Sequence, residues 1–179
     1  MASEPMTSQP PRYRVQPTEL GPLLVCGSAA GLLLVSLGDA EIHDFARRFT
    51  LVPRDETCPH LRAWGERIAE YLRGQRRRLD VPVTRIGTPF QRQVWHHLRT
   101  ISYGQVRSYR QIAEALGRPT AARAVGQACA ANPVCLVVPC HRAIRADGSL
   151  GGFRWGVELK RKLLEMEGAY PLVVRVADE

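Results

Sequence analysis

A cysteine and a histidine stand side by side at Cys140 and His141, followed by Arg142, just past the apolar run 134–138. A free thiol titrates near ~8.5, so little of it is nucleophilic thiolate at neutral pH. A neighbouring imidazole can take the proton, directly or through a water, and a carboxylate can orient that imidazole. Glu114, Glu158, Glu165 and Glu167 are candidates for the carboxylate. A bare Cys-His pair is more often a buried structural thiol beside a surface ring. The next segment weighs the other way. Residues 147–156 are rich in glycine and hold Phe153 and Trp155. Glycines let backbone approach a ligand closely, and two aromatic rings can wall a pocket. Trp155 can also serve simply as a packing residue. The chemistry suggested is nucleophilic attack by sulfur on a group held in an apolar pocket.

Those residues need elements to hold them. The apolar run 134–138 reads as a buried strand, ended by Pro139, which cannot keep donating to a ladder. Upstream, Thr88 and Pro89 open a helix with Phe90, Val94, Trp95 and Leu98 on one face. Ser108 caps a second helix over 109–116, residues 117–120 form a tight turn, and Thr120 caps a third over 121–131. Two short helices joined by a glycine-containing turn make a helix-turn-helix, whose second helix faces a DNA groove. Ala121, Ala122, Ala124, Gly126 and Ala128 permit close approach, and Arg123 projects among residues too small to cover it. A plain helical hairpin would use small residues the same way. A last helix is expected over 158–166. In the first part of the chain, residues 23–25 and 32–37 read as two strands, and 61–72 as a helix ended by Gly74.

Charge supports a polyanionic partner. The net charge is +8, and residues 85–145 hold nine arginines against one acid, Glu114. A field of one sign on one part of a chain suggests nucleic acid. No apolar run approaches the ~18 residues of a membrane span, and residues 1–14 lack the apolar centre of a secretory signal. The five cysteines are odd in number and irregular in spacing, so a reducing cytoplasm is expected rather than a disulfide framework. Cys58 and His60 form a poor start for a zinc site, which needs about four ligands. No metal is expected.

At this point the residues are recognisable. Val138-Pro139-Cys140-His141-Arg142, after Ala122-Arg123-Ala124-Val125-Gly126 and Asn132-Pro133, resembles the O6-alkylguanine-DNA alkyltransferase family. The loop Phe153-Arg154-Trp155-Gly156 and the string Leu163-Leu164-Glu165-Met166-Glu167 fit it too, closest to the methyltransferase domain that ends bacterial adaptive-response proteins. The likeness is dense over 87–168 and thin over 14–83.

The resemblance implies an α/β (α+β) fold: a small ribonuclease-H-like domain over 14–83, then a winged-helix-like DNA-binding domain over 84–170, with tails at 1–13 and 171–179. It implies irreversible, one-for-one transfer of an alkyl group from O6-alkylguanine to Cys140, with O4-alkylthymine as a second candidate substrate. The base lies inside the stack, so it must flip out to be reached. Cys140 would be the nucleophile and acceptor, His141 its activator through a water, Glu167 the orienter, and Asn132 the brace of the turn. Tyr109 would donate a proton toward the leaving guanine, and Arg123 would fill the gap in the duplex. Tyr109, Thr120, Ala121 and Ala122 would join Arg123 against DNA. Cys135, Val138, Ala143, Gly151, Gly152, Phe153, Arg154 and Trp155 would form a narrow pocket that suits methyl better than benzyl. No cofactor is implied. The partner is double-stranded DNA carrying alkylated guanine, met by a monomer. The alternative reading is a non-enzymatic protein that binds alkylated DNA, although relatives of that kind lack the reactive cysteine.

Overall fold

In a computed structural model the chain is described over residues 10–48, 54–84 and 86–170. Residues 1–9 and 171–179, read above as tail, lie outside these. Three antiparallel strands come first: β1 (Arg12–Gln16), β2 (Leu23–Ser28) and β3 (Gly31–Leu37), in the order β1-β2-β3. Arg12 and Tyr13 were expected in a tail, yet they open β1. Arg12 bonds Asp55 at 3.1 Å and Arg14 pairs with Glu56 at 3.1 Å, so the charges of this strand are matched from a distant segment.

Helix α1 (Asp39–Arg48), absent from the sequence reading, packs on β3. Helix α2 (Pro59–Leu72) lies across β1 and β2 and buries Leu61, Trp64, Ile68, Tyr71 and Leu72, the face its periodicity predicts.

The other half is mainly helical. Helix α3 (Pro89–Leu98) starts at Thr88, whose side chain accepts from the Gln91 amide while Gln91 bonds back. This reciprocal cap satisfies two orphan donors at once. Ser108 and Gln111 repeat it at α4 (Tyr109–Ala115). Helix α5 (Ala122–Ala130) starts one residue later than expected: Ala121, not Thr120, is the cap, and no side chain completes it. Trp95 Nε1 donates to the Ala128 carbonyl at 2.8 Å and ties α3 to α5. Helix α6 (Val157–Met166) closes the described chain.

The run 134–138 is not a strand. Val134 makes one parallel bridge to Val35, and Cys135 bridges Val138 across a tight turn in which Leu136 takes φ 73°. That left-handed conformation is costly for a side chain with a Cβ, so the surroundings must impose it. Asn132, fully buried, does so: its Nδ2 donates to the Val138 carbonyl at 2.9 Å, and its Oδ1 accepts from the Val134 amide at 3.1 Å. The outer edge of β3 anchors the same turn, because the Val35 amide donates to the Pro133 carbonyl at 2.8 Å. A continuous buried cluster runs from β2 and α2 through α3 and α5 to Cys140, so both halves share it. The mixed α/β architecture expected from the sequence is thus present.

After the turn, Cys140–Arg142 forms a single 3-10 turn and Ala143–Ile144 becomes β5, paired in parallel with β4 (Arg107–Ser108). That two-residue pairing carries Tyr109, the next residue after β4, to the neighbourhood of Cys140.

Replacing Asn132 by Ala would leave the buried Val134 amide without a partner, at about 1–3 kcal/mol, and the Val138 carbonyl with the Cys140 amide as its remaining donor. Urea unfolding of Asn132→Ala is expected to show a loss of about 1–3 kcal/mol. A loss below about 0.5 kcal/mol would mean that packing alone holds the turn.

Candidate functional site

Cys140 sits at the N-terminal end of the 3-10 turn with its sulfur buried. Two side chains reach that sulfur: Asn132 Nδ2 at 3.2 Å and the Cys135 sulfur at 3.8 Å. The Cys140 thiol is held below its ordinary value. The bond with Cys135 contributes most; burial opposes; the Asn132 amide and the charge of Lys160 add to the lowering. The thiolate is therefore more available here than on a free cysteine. Cys135 moves the other way, well up, because it shares its hydrogen with Cys140 and is buried.

Behind the sulfur lies a fully buried relay. His141 Nε2 is 2.7 Å from Glu167 Oε1, and Tyr71 donates its hydroxyl hydrogen to the same oxygen. Arg142 grips Glu167 with two nitrogens, at 2.9 and 3.1 Å, and sends a third to the Ile101 carbonyl at 2.6 Å. The Gly104 amide adds a donor at 3.2 Å. Burial works to raise the Glu167 carboxyl, but the His141 bond and then the Arg142 bonds and charge overcome it and pull it to about 2. Burial also lowers His141, against the pull of Glu167. At neutral pH the pair is thus an ionised carboxylate and a neutral imidazole. A carboxylate only accepts, so Nε2 carries the hydrogen and Nδ1 keeps a lone pair. That Nδ1 is buried and bonds to no protein atom. The ring is set up to receive a proton there.

Cys140 also lies at the floor of a cavity of about 690 Å³. Its walls include Tyr109, Ala122, Arg123, Gly151, Gly152, Phe153 and Arg154 from the expected set. Phe153 stands edge-on to His141, ring centres 6.5 Å apart, and edge-on to Trp155 at 5.6 Å. Gly151 is a glycine for two reasons. Its φ is 67°, and a Cβ there would come within 3.0 Å of the Tyr109 hydroxyl. Tyr109 is half-buried and its hydroxyl is pushed up to about 12, chiefly by burial and then by the neighbouring sulfurs, so it keeps its proton. Arg110, Arg123, Arg145 and Arg154 surround the cavity with positive charge. Arg123 is exposed on the first turn of α5 and makes no ion pair among the described residues. Glu114, the one acid of the basic run, pairs with Arg110 at 2.9 Å on the surface.

Some expected wall residues are elsewhere. Cys135, Val138 and Ala143 lie behind Cys140 in the core, because the turn folds their side chains inward. Trp155 backs Phe153 instead of lining the cavity. Thr120 and Ala121, expected against DNA rather than in the pocket, stand just before α5.

Three contributors were missed. Tyr71 read as one more apolar residue of a helix face. Arg142 belonged to the motif but had no role. Lys160 has no exposed surface; it donates to the carbonyls of Ala143 (2.6 Å) and Leu150, and burial pushes its ammonium down to about 8. It joins β5 to the glycine-rich loop. Among the described residues no three His, Cys, Asp or Glu side chains gather closely enough to hold a metal ion, and no helix is long and apolar enough to cross a membrane.

Comparison with known proteins agrees with this arrangement. Residues 89–169 match the family described as "6-O-methylguanine DNA methyltransferase, DNA binding domain". The chain is 40% identical over 159 residues to the bifunctional transcriptional activator/DNA repair enzyme Ada of Escherichia coli. That stretch is 87% of this chain and 45% of Ada, so the chain spans under half of that relative's length. It is 36% identical over 161 residues to a methylated-DNA--protein-cysteine methyltransferase of Methanosarcina acetivorans, covering 88% of this chain and 98% of that one. Among solved structures, Mycobacterium tuberculosis OGT in complex with DNA superposes with a TM-score of 0.75 at 33% identity, over 92% of this chain and 99% of that chain. Likeness that extends along nearly the whole chain, in sequence and in backbone, leaves one conclusion: this chain belongs to the methylated-DNA--protein-cysteine methyltransferase family.

Proposed function

We propose that this protein repairs DNA directly, by moving the alkyl group of O6-alkylguanine onto Cys140 once per molecule. The observation that carries this reading is the Cys140 sulfur at the floor of an arginine-bordered cavity, with the His141–Glu167 relay behind it. The E. coli relative is named a DNA repair enzyme and the M. tuberculosis neighbour was solved on DNA, which supports the same direction.

In this mechanism the damaged nucleotide leaves the duplex and enters the cavity. Arg123, on the first turn of α5, fills the gap. Tyr109, Thr120, Ala121 and Ala122 complete the surface around the strand. The Cys140 proton passes through a water to His141 Nδ1, and Glu167 steadies the imidazolium that forms. The thiolate attacks the alkyl carbon, a carbon–sulfur bond forms, and the bond from that carbon to O6 breaks. The electrons stay on guanine, and Tyr109, still protonated, supplies hydrogen to its ring. Asn132 keeps the turn in place. Gly151, Gly152, Phe153 and Arg154 border the base, with Cys135, Val138, Ala143 and Trp155 supporting the floor from behind. The thioether has no group beside it to hydrolyse it, so the protein is spent. The region 84–170 is the winged-helix-like, DNA-binding part and 14–83 the smaller, ribonuclease-H-like support. The working unit is a monomer in the cytoplasm, and methyl is handled better than benzyl.

The reaction is tested by titrating the protein against duplex DNA with one O6-methylguanine. One methyl should disappear per protein and reappear on the peptide carrying Cys140, while Cys140→Ala should bind and transfer nothing. Lesion loss exceeding the protein present would mean turnover instead.

Arg123→Ala should slow transfer in duplex more than in single-stranded DNA, and equal losses would remove the gap-filling role. Wild-type binding should weaken steeply with salt, because several phosphates are neutralised.

Glu167 ties the mechanism to stability. Its carboxyl titrates near 2 in the fold and near ~4.3 when unfolded. A depressed value stabilises above the unfolded value and is lost as pH falls through the folded one. The wild type should therefore lose about 3 kcal/mol between about pH 5 and pH 2 through this group. In Glu167→Gln that acid branch should be missing, and transfer should slow by roughly 100-fold or more. An unchanged transfer rate would exclude Glu167 from the relay.

A further inference from the structure

Cys135 helps to hold the Cys140 thiol low, yet its own sulfur takes part in no bond-making step of the mechanism. Cys135 is buried against the Cys140 sulfur at 3.8 Å, and no step above uses its thiol. The contact is built rather than incidental. The two cysteines lie five positions apart along a turn closed by the Cys135–Val138 bridge. Leu136 inside it holds φ 73°, and Asn132 bonds both the Val138 carbonyl and the Cys140 sulfur. An apolar residue would satisfy the space at Cys135; a second thiol at that distance adds chemistry. The cavity floor leaves Cys140 open to a molecule as small as a peroxide, while Cys135 lies behind it, out of the cavity wall.

We propose that Cys135 is the resolving partner of Cys140, and that hydrogen peroxide converts the two thiols into a reversible disulfide which masks the acceptor sulfur. In the first step the Cys140 thiolate attacks one peroxide oxygen. A sulfur–oxygen bond forms, the oxygen–oxygen bond breaks, and hydroxide leaves and is protonated to water. In the second step the Cys135 sulfur attacks the sulfenic sulfur. A sulfur–sulfur bond forms, the sulfur–oxygen bond breaks, and a second water leaves with the Cys135 proton. Two thiols lose two electrons and one peroxide gains them. A sulfenic acid beside a thiol takes this route, whereas an isolated one proceeds to sulfinic and sulfonic acids that do not return. The sulfurs must close from 3.8 Å to a bond of about 2 Å. That movement ruptures the Asn132 contact with Cys140 but not its grip on the backbone. For a protein that spends its one acceptor sulfur per repair, such a bond preserves that sulfur through oxidation.

The chemical state of Cys140 is the readout, so the test stands apart from whether alkyl transfer occurs. The full-length protein is treated with a small excess of hydrogen peroxide, denatured, alkylated at free thiols and digested. Trypsin leaves Cys129, Cys135 and Cys140 on one peptide between Arg123 and Arg142. The expected peptide is lighter by two hydrogens and labelled only at Cys129. Chymotrypsin, cutting after Leu136, should leave two pieces that separate on reduction. Dithiothreitol should return nearly all Cys140 to the free thiol. In Cys135→Ala the same peroxide should carry Cys140 to sulfinic and sulfonic acids that dithiothreitol does not reverse. Cys140 found over-oxidised in the wild type with Cys135 labelled, or joined to Cys129, would overturn the pairing. So would equal recovery of Cys140 in Cys135→Ala. The wild-type peptide analysis needs no variant, so it decides the matter even if Cys135→Ala folds poorly.

Discussion

A carboxylate that water does not reach must have its oxygens filled by donors, or it costs several kcal/mol. Glu167 is in that position, and much of the interior follows from satisfying it. Its donors are four residues from three places: Tyr71 on α2, Gly104 in the loop after α3, and His141 and Arg142 on the 3-10 turn. Each must arrive within about 3 Å at the same point. That convergence fixes where α6 ends, how the 3-10 turn faces it, and how α2 leans on both. It also decides which nitrogen of His141 carries hydrogen, and so which one keeps its lone pair. Removing any donor disturbs an arrangement in which the others depend on one another.

The surroundings of Cys140 show a second balance. Burial alone would make a thiol harder to ionise. Here it is opposed by short-range donors, Cys135 and Asn132, and by the charge of Lys160. Lys160 is itself buried and is kept in place by two carbonyls rather than by a carboxylate. A carboxylate there would have neutralised its field; carbonyls solvate the ammonium and leave its charge to act on the sulfur.

Much of this was legible in the sequence where the signal is local. Thr88 and Ser108 announce their helices because a capping box is three residues long. The apolar face of α2 repeats with the helix period, and the Pro-Cys-His-Arg string marks the sulfur and the ring around which the site is built. Other features were not legible, for physical reasons. A short apolar run such as 134–138 has no periodicity to separate strand from turn, and nothing local shows that Asn132 and β3 force Leu136 into a left-handed conformation. Strand β1 begins with arginines whose partners, Asp55 and Glu56, lie more than 40 residues away. Lys160 reads as surface because lysine almost always is. Tyr71 reads as core, and it is, but its hydroxyl meets a residue 96 positions further on.

That last contact bears on how such a chain could be reassembled. Tyr71 belongs to the helix of the supporting half, yet its oxygen completes the coordination of the glutamate in the reacting half. A graft that kept residues 84–170 and replaced the first half with an unrelated scaffold of matching shape would leave Glu167 Oε1 to His141 and Arg142 alone, one donor short in a sealed interior. Recombination at the connection therefore costs least between chains that already share a phenol at this place. The seam between the halves behaves as one inherited unit, although the DNA-binding signature lies wholly to one side of it.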